Sequence, residues 1–384
     1  MSGASGDDRV HDEPPRISRR NLIATAVITT ALTDMATPAN AEPGNPLHAR
    51  QGAANAKPGP RHVPARAIPV PSTLAEDPEM AASVGGPYSP LWNLDAANAD
   101  GWRAIVRERD ALAAAAAAGM REKLGVAMAR APIGGVNAYR LASKRLDPAR
   151  QDKLIFHLHG GGYVLGNGEA GTFEATLIAA YTGYPVLSLD YGMAPDRPFP
   201  AGIDDTIKAW KALTADRDPR RIALHGTSAG ANIGLAALLK MKSLDLPMPG
   251  ALGLGSPPAD KGRRGDSWRT NEWADNIVVT PDSSYLNAVH ELYAGKESLD
   301  NPLVSPLLGD FTGFPPGVIS TGTRDVFLSD AAHVHRKLRR AGIPAELLVF
   351  EAVSHSSFLF APTSGATKEM YGAMAVFFDT HLDK

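Results

Sequence analysis

The sequence predicts an α/β protein, with an eight-stranded, mostly parallel sheet and helices on both faces. Three observations carry this. From about residue 126, short apolar runs alternate with helical stretches, the order that parallel crossover units require. The chain of 384 residues is 44% hydrophobic and 21% charged, enough for a real core in one large domain with insertions, or in two. Glycine-rich turns follow two of the apolar runs, where a parallel sheet presents its functional edge.

The opening stretch reads as an address rather than as fold. Arg19-Arg20 precedes the apolar run Leu22–Leu32, and Ala39-Asn40-Ala41 supplies a small-x-small cleavage site. This is the layout of a twin-arginine export signal over 1–41, which predicts a periplasmic or secreted protein, or a cytoplasmic one if the signal is not used. Residues 42–73, with seven prolines, read as a Pro/Ala/Gly-rich linker. Residues 74–125 read as helical. Trp102–Met120 holds the alanine run Ala113–Ala118, expected to stop at Gly119.

Val126–Arg130 and Val136–Leu141, parted by Gly134-Gly135, read as an antiparallel hairpin. Strands are then expected at Leu154–Leu158, Pro185–Leu189, Arg221–His225, Ala251–Gly255, Gly317–Thr321 and Ala345–Phe350. Helices are expected at Thr172–Tyr181, Gly202–Thr214, Ala229–Lys242, Leu328–Ala341 and Ala366–His381. Asp204 and Asp205 stand in a first turn, where the helix dipole favours them. The alternation lapses over 257–305, which reads as an insertion over one edge of the sheet.

Composition excludes several functions. A formal net charge of -2 offers nothing to hold a nucleic-acid backbone. The absence of cysteine excludes disulfides, thiolate metal sites and a thiol nucleophile. No apolar run is long enough to cross a bilayer, so stable membrane insertion is not expected.

Gly226-Thr227-Ser228-Ala229-Gly230 sits between an apolar strand and an Ala/Leu-rich helix. That is the setting of a strained turn presenting a serine hydroxyl. His159-Gly160-Gly161-Gly162 follows the strand Leu154–Leu158. Its unobstructed amides, with that of Ala229, suit an oxyanion hole. A serine needs a base, and the base an orienting carboxylate, expected in the order Ser, acid, His. Of the later histidines, only His355 lies in a loop just past a late strand. His333 and His335 fall inside a helix. Asp325, four residues past a strand, is the favoured acid, with Asp330 and Glu351 as rivals.

Two other patterns compete. Gly166-Asn167-Gly168-Glu169-Ala170-Gly171 imitates a dinucleotide fingerprint with Asp190 downstream, but it arrives too late after its strand. His157 and His159 form an H-x-H pair, with no nearby carboxylate or third histidine expected to complete a metal site. His157 reads as a packed strand residue and His159 as a brace for the glycine loop.

These residues resemble the hormone-sensitive-lipase-type esterases, bacterial family IV carboxylesterases of the α/β-hydrolase fold, over roughly 70–384. His159–Tyr163 resembles the HGGG oxyanion motif, and Gly226–Gly230 the elbow of the GTSAG branch. Asp190-Tyr191-Gly192-Met193-Ala194-Pro195-Asp196, with Pro198-Phe199-Pro200-Ala201, resembles D-Y-R-L-A-P-E followed by P-F-P-A. Gly192 and Met193 replace the common Arg-Leu, removing whatever salt bridge that arginine makes. Asp325-Val326-Phe327-Leu328-Ser329-Asp330 resembles the acid motif, and His355-Ser356-Ser357-Phe358 departs from the common H-G-F.

The resemblance implies a serine hydrolase of small or short-acyl esters or lactones. Ser228, Asp325 and His355 would be catalytic, Gly161, Gly162 and Ala229 would donate to the oxyanion, and His159 and Gly160 would support them. No cofactor and no metal are expected. The expected partner is a small-molecule ester, with no nucleic acid; a homodimer is left open. The resemblance also implies a cap over 74–125, and the insertion at 257–305 is a second candidate for it. Trp92, Trp102, Trp268 and Trp273 either line its pocket or pack it onto the core. An amidase or deacetylase using the same triad, and a non-catalytic ligand-binding relative, are the alternatives.

Overall fold

The computed structural model describes Val63, residues 65–144 and residues 146–382. The signal segment 1–41 and the linker as far as residue 62 lie outside the described residues. Residues 68–384 form one compact unit.

Strands β1 (Val126–Arg130) and β2 (Ala138–Ser143) form the expected hairpin. β3 (Leu154–Leu158), β4 (Val186–Leu189), β5 (Ile222–Thr227), β6 (Ala251–Gly255), β7 (Gly317–Gly322) and β8 (Ala345–Phe350) follow. The sheet order is β1-β2-β4-β3-β5-β6-β7-β8, with β2 antiparallel to both neighbours and every other pairing from β4 to β8 parallel. The helices are α1 (Pro78–Val84), α2 (Ala99–Leu124), α3 (Thr172–Thr182), α4 (Ala201–Asp216), α5 (Ala229–Ser243), α6 (Ser267–Thr270), α7 (Ser284–Ala294), α8 (Leu328–Arg340) and α9 (Gly365–His381).

Side chains alternate across a strand, so each strand feeds two cores. Leu154, Phe156 and Leu158 of β3 join Ile222 and Leu224 of β5 in a cluster covered by α4, α5 and α8. Ile155, Ala223 and Val186 point the other way, into a cluster covered by α3 and α9. All residues of β3, β5 and β6 are buried, as parallel strands sheathed on both faces must be.

Two expectations need correcting. Helix α2 does not stop at Gly119 but runs to Leu124, ending at Gly125 in the left-handed region (φ +67). A helical glycine costs about 1 kcal/mol. Beyond it, Met120 and Leu124 pack on the α3/α9 core, and Arg121 pairs with Glu169 at 2.8 Å and donates to Thr172 at 3.0 Å. Those contacts outweigh one glycine. The insertion 257–305 does not cover a lateral edge, because β6 and β7, which it connects, are interior strands. It folds over the carboxyl end of the sheet.

The carboxyl ends of the central strands align. Leu158 pairs with Gly226, Thr227 with Gly255, and Gly255 with Ser320. The loops leaving β3, β5, β6, β7 and β8 therefore converge on one side.

Candidate active site

Ser228 leaves β5 with φ +54 and ψ -122, a conformation few non-glycine residues adopt. Its N–H donates to Gly255 O at 2.9 Å, and its carbonyl accepts from Ala231 and Asn232 as α5 begins. The turn closes because Gly230 lies so near the carbonyl of Leu158 that no side chain fits there. Asn232 then donates to Pro258 O at 3.0 Å and Val304 O at 3.1 Å, tying α5 to both ends of the insertion.

The loops after β7 and β8 bring the other two predicted residues to this serine. His355 Nε2 lies 2.9 Å from Ser228 Oγ. Its Nδ1 faces Asp325 Oδ1 at 3.5 Å, an electrostatic contact rather than a well-formed hydrogen bond. The ring stands edge-on to Phe327, with centroids 4.7 Å apart. Asp325 is fully buried. Thr321 Oγ1 donates to its Oδ2 at 2.9 Å and Phe327 N to its Oδ1 at 2.8 Å. Burial pushes this carboxyl up, but the donors and His355 outweigh that and hold it below the usual carboxylate range.

The rival acids lie elsewhere. Asp330 is buried in α8 and accepts from Asp260 N at 3.0 Å. Glu351 is exposed and accepts from Thr73 at 2.6 Å. Sequence reasoning missed a third carboxylate, Asp275, in the insertion. Its Oδ2 accepts the backbone N–H groups of His355 at 3.2 Å and Val326 at 3.1 Å. Burial and the charge of Asp325 push it up to about 6.

Around the serine, Gly161 has φ +117 and Gly162 has φ +62, which a β-carbon would strain. A side chain on Gly161 would also run into the carbonyl of Leu165. Among the described residues, the amides of Gly161, Gly162 and Ala229 have no protein acceptor. Gly160 packs beside Thr227 and Ser228. His159 supports the loop, with its ring stacked on Tyr191 at 4.4 Å, its Nδ1 2.7 Å from Gly160 O, and its carbonyl accepting from Tyr191 OH at 2.6 Å. Burial pushes the imidazole pKa down.

The glycine pattern at 166–171 is already satisfied by carboxylates. Gly166 and Asn167 donate to Asp110 at 2.7 and 3.0 Å, and Gly168 donates to Asp190 at 2.9 Å. These amides are spent on fixing the loop to α2 and β4. Nor does the missing arginine at 192 leave its region without an ion pair. Arg197 fills the space beside Gly192 and grips Asp205 bidentately at 2.6 and 2.9 Å.

His157 is a packed strand residue, but the expectation that no carboxylate or further histidine accompanies it is wrong. Glu174 from α3 and His225 from β5 bring their ligand-type atoms within 4.8 Å of one another and of His157. The sequence separates these residues, and the crossover through α3 reunites them. The cluster is knit by hydrogen bonds: Glu174 accepts from Thr227 at 2.5 Å and meets His157 Nε2 at 3.2 Å, while His157 Nδ1 meets Ser188 Oγ at 3.0 Å. Burial pushes His225 down to about 4. Ser188, His157 and Glu174 thus imitate a serine–histidine–acid chain, but Ser188 and His157 are buried mid-sheet and do not reach the cavity at Ser228.

That cavity measures about 300 Å³, and Ser228 and His355 lie on its wall. Leu91, Trp92 and Ala113 line it from the N-terminal segment, and Val278, Tyr285 and Val289 from the insertion. Of the four tryptophans expected near the cap, only Trp92 lines it. Trp102 packs against Tyr285 and Trp268 against Phe327, while Trp273 is half exposed beside Tyr88 and Trp92.

A family model described as an alpha/beta hydrolase fold matches residues 155–359. An acetyl-hydrolase of Streptomyces hygroscopicus is 35% identical over 199 residues, 51% of this chain and 66% of that protein. The crystal structure of an esterase superposes with a TM-score of 0.79 at 35% identity, covering 84% of this chain and 98% of that one. Another, from the bacterial hormone-sensitive lipase family, superposes with a TM-score of 0.68 at 29% identity, covering 79% and 98%. The chain belongs to this esterase family. As a hormone-sensitive-lipase-type esterase it is an enzyme of the serine-hydrolase class. Its eight-stranded sheet, with β1 and β2 as an antiparallel margin, is the α/β-hydrolase fold.

Proposed function

We propose that the enzyme hydrolyses small or short-acyl esters or lactones in two steps at Ser228. The observation that carries this reading is the 2.9 Å approach of His355 Nε2 to Ser228 Oγ on the wall of a small, largely apolar cavity. An acetyl-hydrolase among the relatives agrees with a short acyl group.

His355 Nε2 takes the Ser228 proton as Oγ bonds to the ester carbonyl carbon. The carbonyl oxygen becomes an oxyanion facing the amides of Gly161, Gly162 and Ala229. Asp325 orients the imidazole and stabilises its positive form. The carbon–oxygen bond to the alcohol breaks as Nε2 returns the proton to the leaving oxygen. Water then attacks the acyl-serine, giving its proton to Nε2, and collapse frees the acid and restores Ser228 Oγ–H. The residues supply base, orienting acid and oxyanion donors, so the reading assigns no cofactor.

Short p-nitrophenyl esters assayed with wild type and Ser228→Ala test this. A loss of at least about 10⁴-fold in kcat is expected. Equal rates for the two proteins would overturn it. The N-terminal layout supports export of the folded enzyme. Periplasmic protein should then begin at Glu42, and an intact Met1 confined to the cytoplasm would refute export.

A further inference from the structure

The insertion places a lysine on the cavity wall that the proposed chemistry does not use. Lys261 is 4% exposed. Its ammonium sits 4.4 Å above the ring centre of Tyr163, the residue after the oxyanion glycines, and its Nζ lies 3.1 Å from His290 Nε2. His290 also lines the cavity. It follows Val289, which packs where a side chain on Gly162 would go. The pair therefore lies on the α7 side of the glycine loop.

An ammonium has three donors. Among the described residues His290 is the single hydrogen-bond acceptor for this one, and the Asp330 carboxyl acts on it only from beyond ion-pair distance. Tyr163 Oη, fully buried beside it, has no partner among the described residues. Burial pushes Lys261 down to about 7, and burial with the neighbouring Lys261 charge holds His290 neutral, well below the usual histidine range. Two buried polar groups short of partners cost free energy unless a ligand meets them. Of the other charged side chains on the wall, Arg109 is a second cation, Asp110 is occupied by the amides of Gly166 and Asn167, and Glu174 by Thr227 and His157.

We infer that Lys261, with His290, is a specificity site for esters that carry a second, anionic oxygen group, such as half-esters of short dicarboxylic acids. This rests on the esterase reading above and names its substrate class. The carboxylate would take the free donors of Lys261 while Ser228 attacks the ester end.

The test pairs monoethyl succinate with its neutral isostere ethyl 4-methylpentanoate. Hydrolysis is followed by pH-stat for wild type, Lys261→Met and Lys261→Arg. Binding of monoethyl succinate to Ser228→Ala, with and without Lys261→Met, is measured by calorimetry. Wild type should prefer the half-ester in kcat/KM by tenfold or more, Lys261→Met should lose that preference, and Lys261→Arg should keep most of it. Calorimetry should show at least tenfold weaker binding without Lys261. A wild type that hydrolyses the neutral ester as well as the half-ester, or binding indifferent to Lys261, would sink the inference even if Lys261→Met does not fold. Hydrolysis of neither ester, with Lys261-dependent binding intact, would instead sink the esterase reading.

Discussion

The backbone N–H of His355 donates to Asp275 Oδ2 at 3.2 Å, so a carboxylate from the insertion holds the histidine loop in place. The same oxygen takes the N–H of Val326, one residue past Asp325, at 3.1 Å. Its Oδ1 accepts from Ile277 at 2.8 Å and Val278 at 3.1 Å. One side chain thereby ties the loops carrying His355 and Asp325 to a cavity wall.

Asp275→Asn should therefore cost activity more than binding. An amide nitrogen in place of one oxygen turns two good contacts into donor against donor. Hydrogen bonds to a charged group contribute about 1.5–3 kcal/mol each. We expect kcat on a short ester to fall tenfold or more, with KM changed less than threefold and a lower urea midpoint. Wild-type kcat together with a wild-type midpoint would show that the tether is dispensable.

Glu174 makes a different prediction, about stability. It is buried beneath the elbow, accepts from Thr227, meets His157, and lies 3.5 Å from Tyr371 OH. Burial pushes its carboxyl up, but those donors and the histidines bring it below the usual range. Glu174→Leu leaves Thr227 and His157 buried without their acceptor and should destabilise by about 3–5 kcal/mol. Glu174→Gln keeps an acceptor oxygen and should cost less than half as much. Equal midpoints for both variants in urea unfolding would contradict this account.

The parts that were legible in the sequence share a physical cause. Strand ends can be read from short apolar runs. In a parallel sheet the carboxyl ends must align, so Ser228, Asp325 and His355 could be named from chain order and the structure brings them together. Asp275 carried no such signal. It stands in a polar stretch with no period of 2 or 3.6, and the backbone amides that link it to the site lie 51 and 80 residues away. Glu174 did leave a trace, as the single acid in the apolar run from Thr172 to Tyr181, but its partners lie on other elements. Helix α2 was cut short because propensity at Gly119 was weighed without the tertiary contacts of Met120, Arg121 and Leu124.

The last prediction concerns pH and Asp330. Burial, with the nearby Asp260, pushes this carboxyl from an ordinary 3.8 up to about 7, and its Oδ1 has no hydrogen-bond partner among the described residues. Between those two values the unfolded chain has released the proton while the folded chain still holds it. The proton therefore favours the folded state, and stability falls as pH rises from about 4 towards 7. Lys261 faces the same group and is pushed down to about 7, so its own titration begins near the top of that window and acts in the opposite sense, in variant and wild type alike. Asp330→Asn keeps an acceptor for Asp260 N and removes the ionisation. Relative to wild type, the variant should gain on the order of 2–3 kcal/mol between pH 5 and pH 8 in urea unfolding. A difference between the two proteins that is flat across that range would mean Asp330 is already ionised at pH 5 in the folded enzyme.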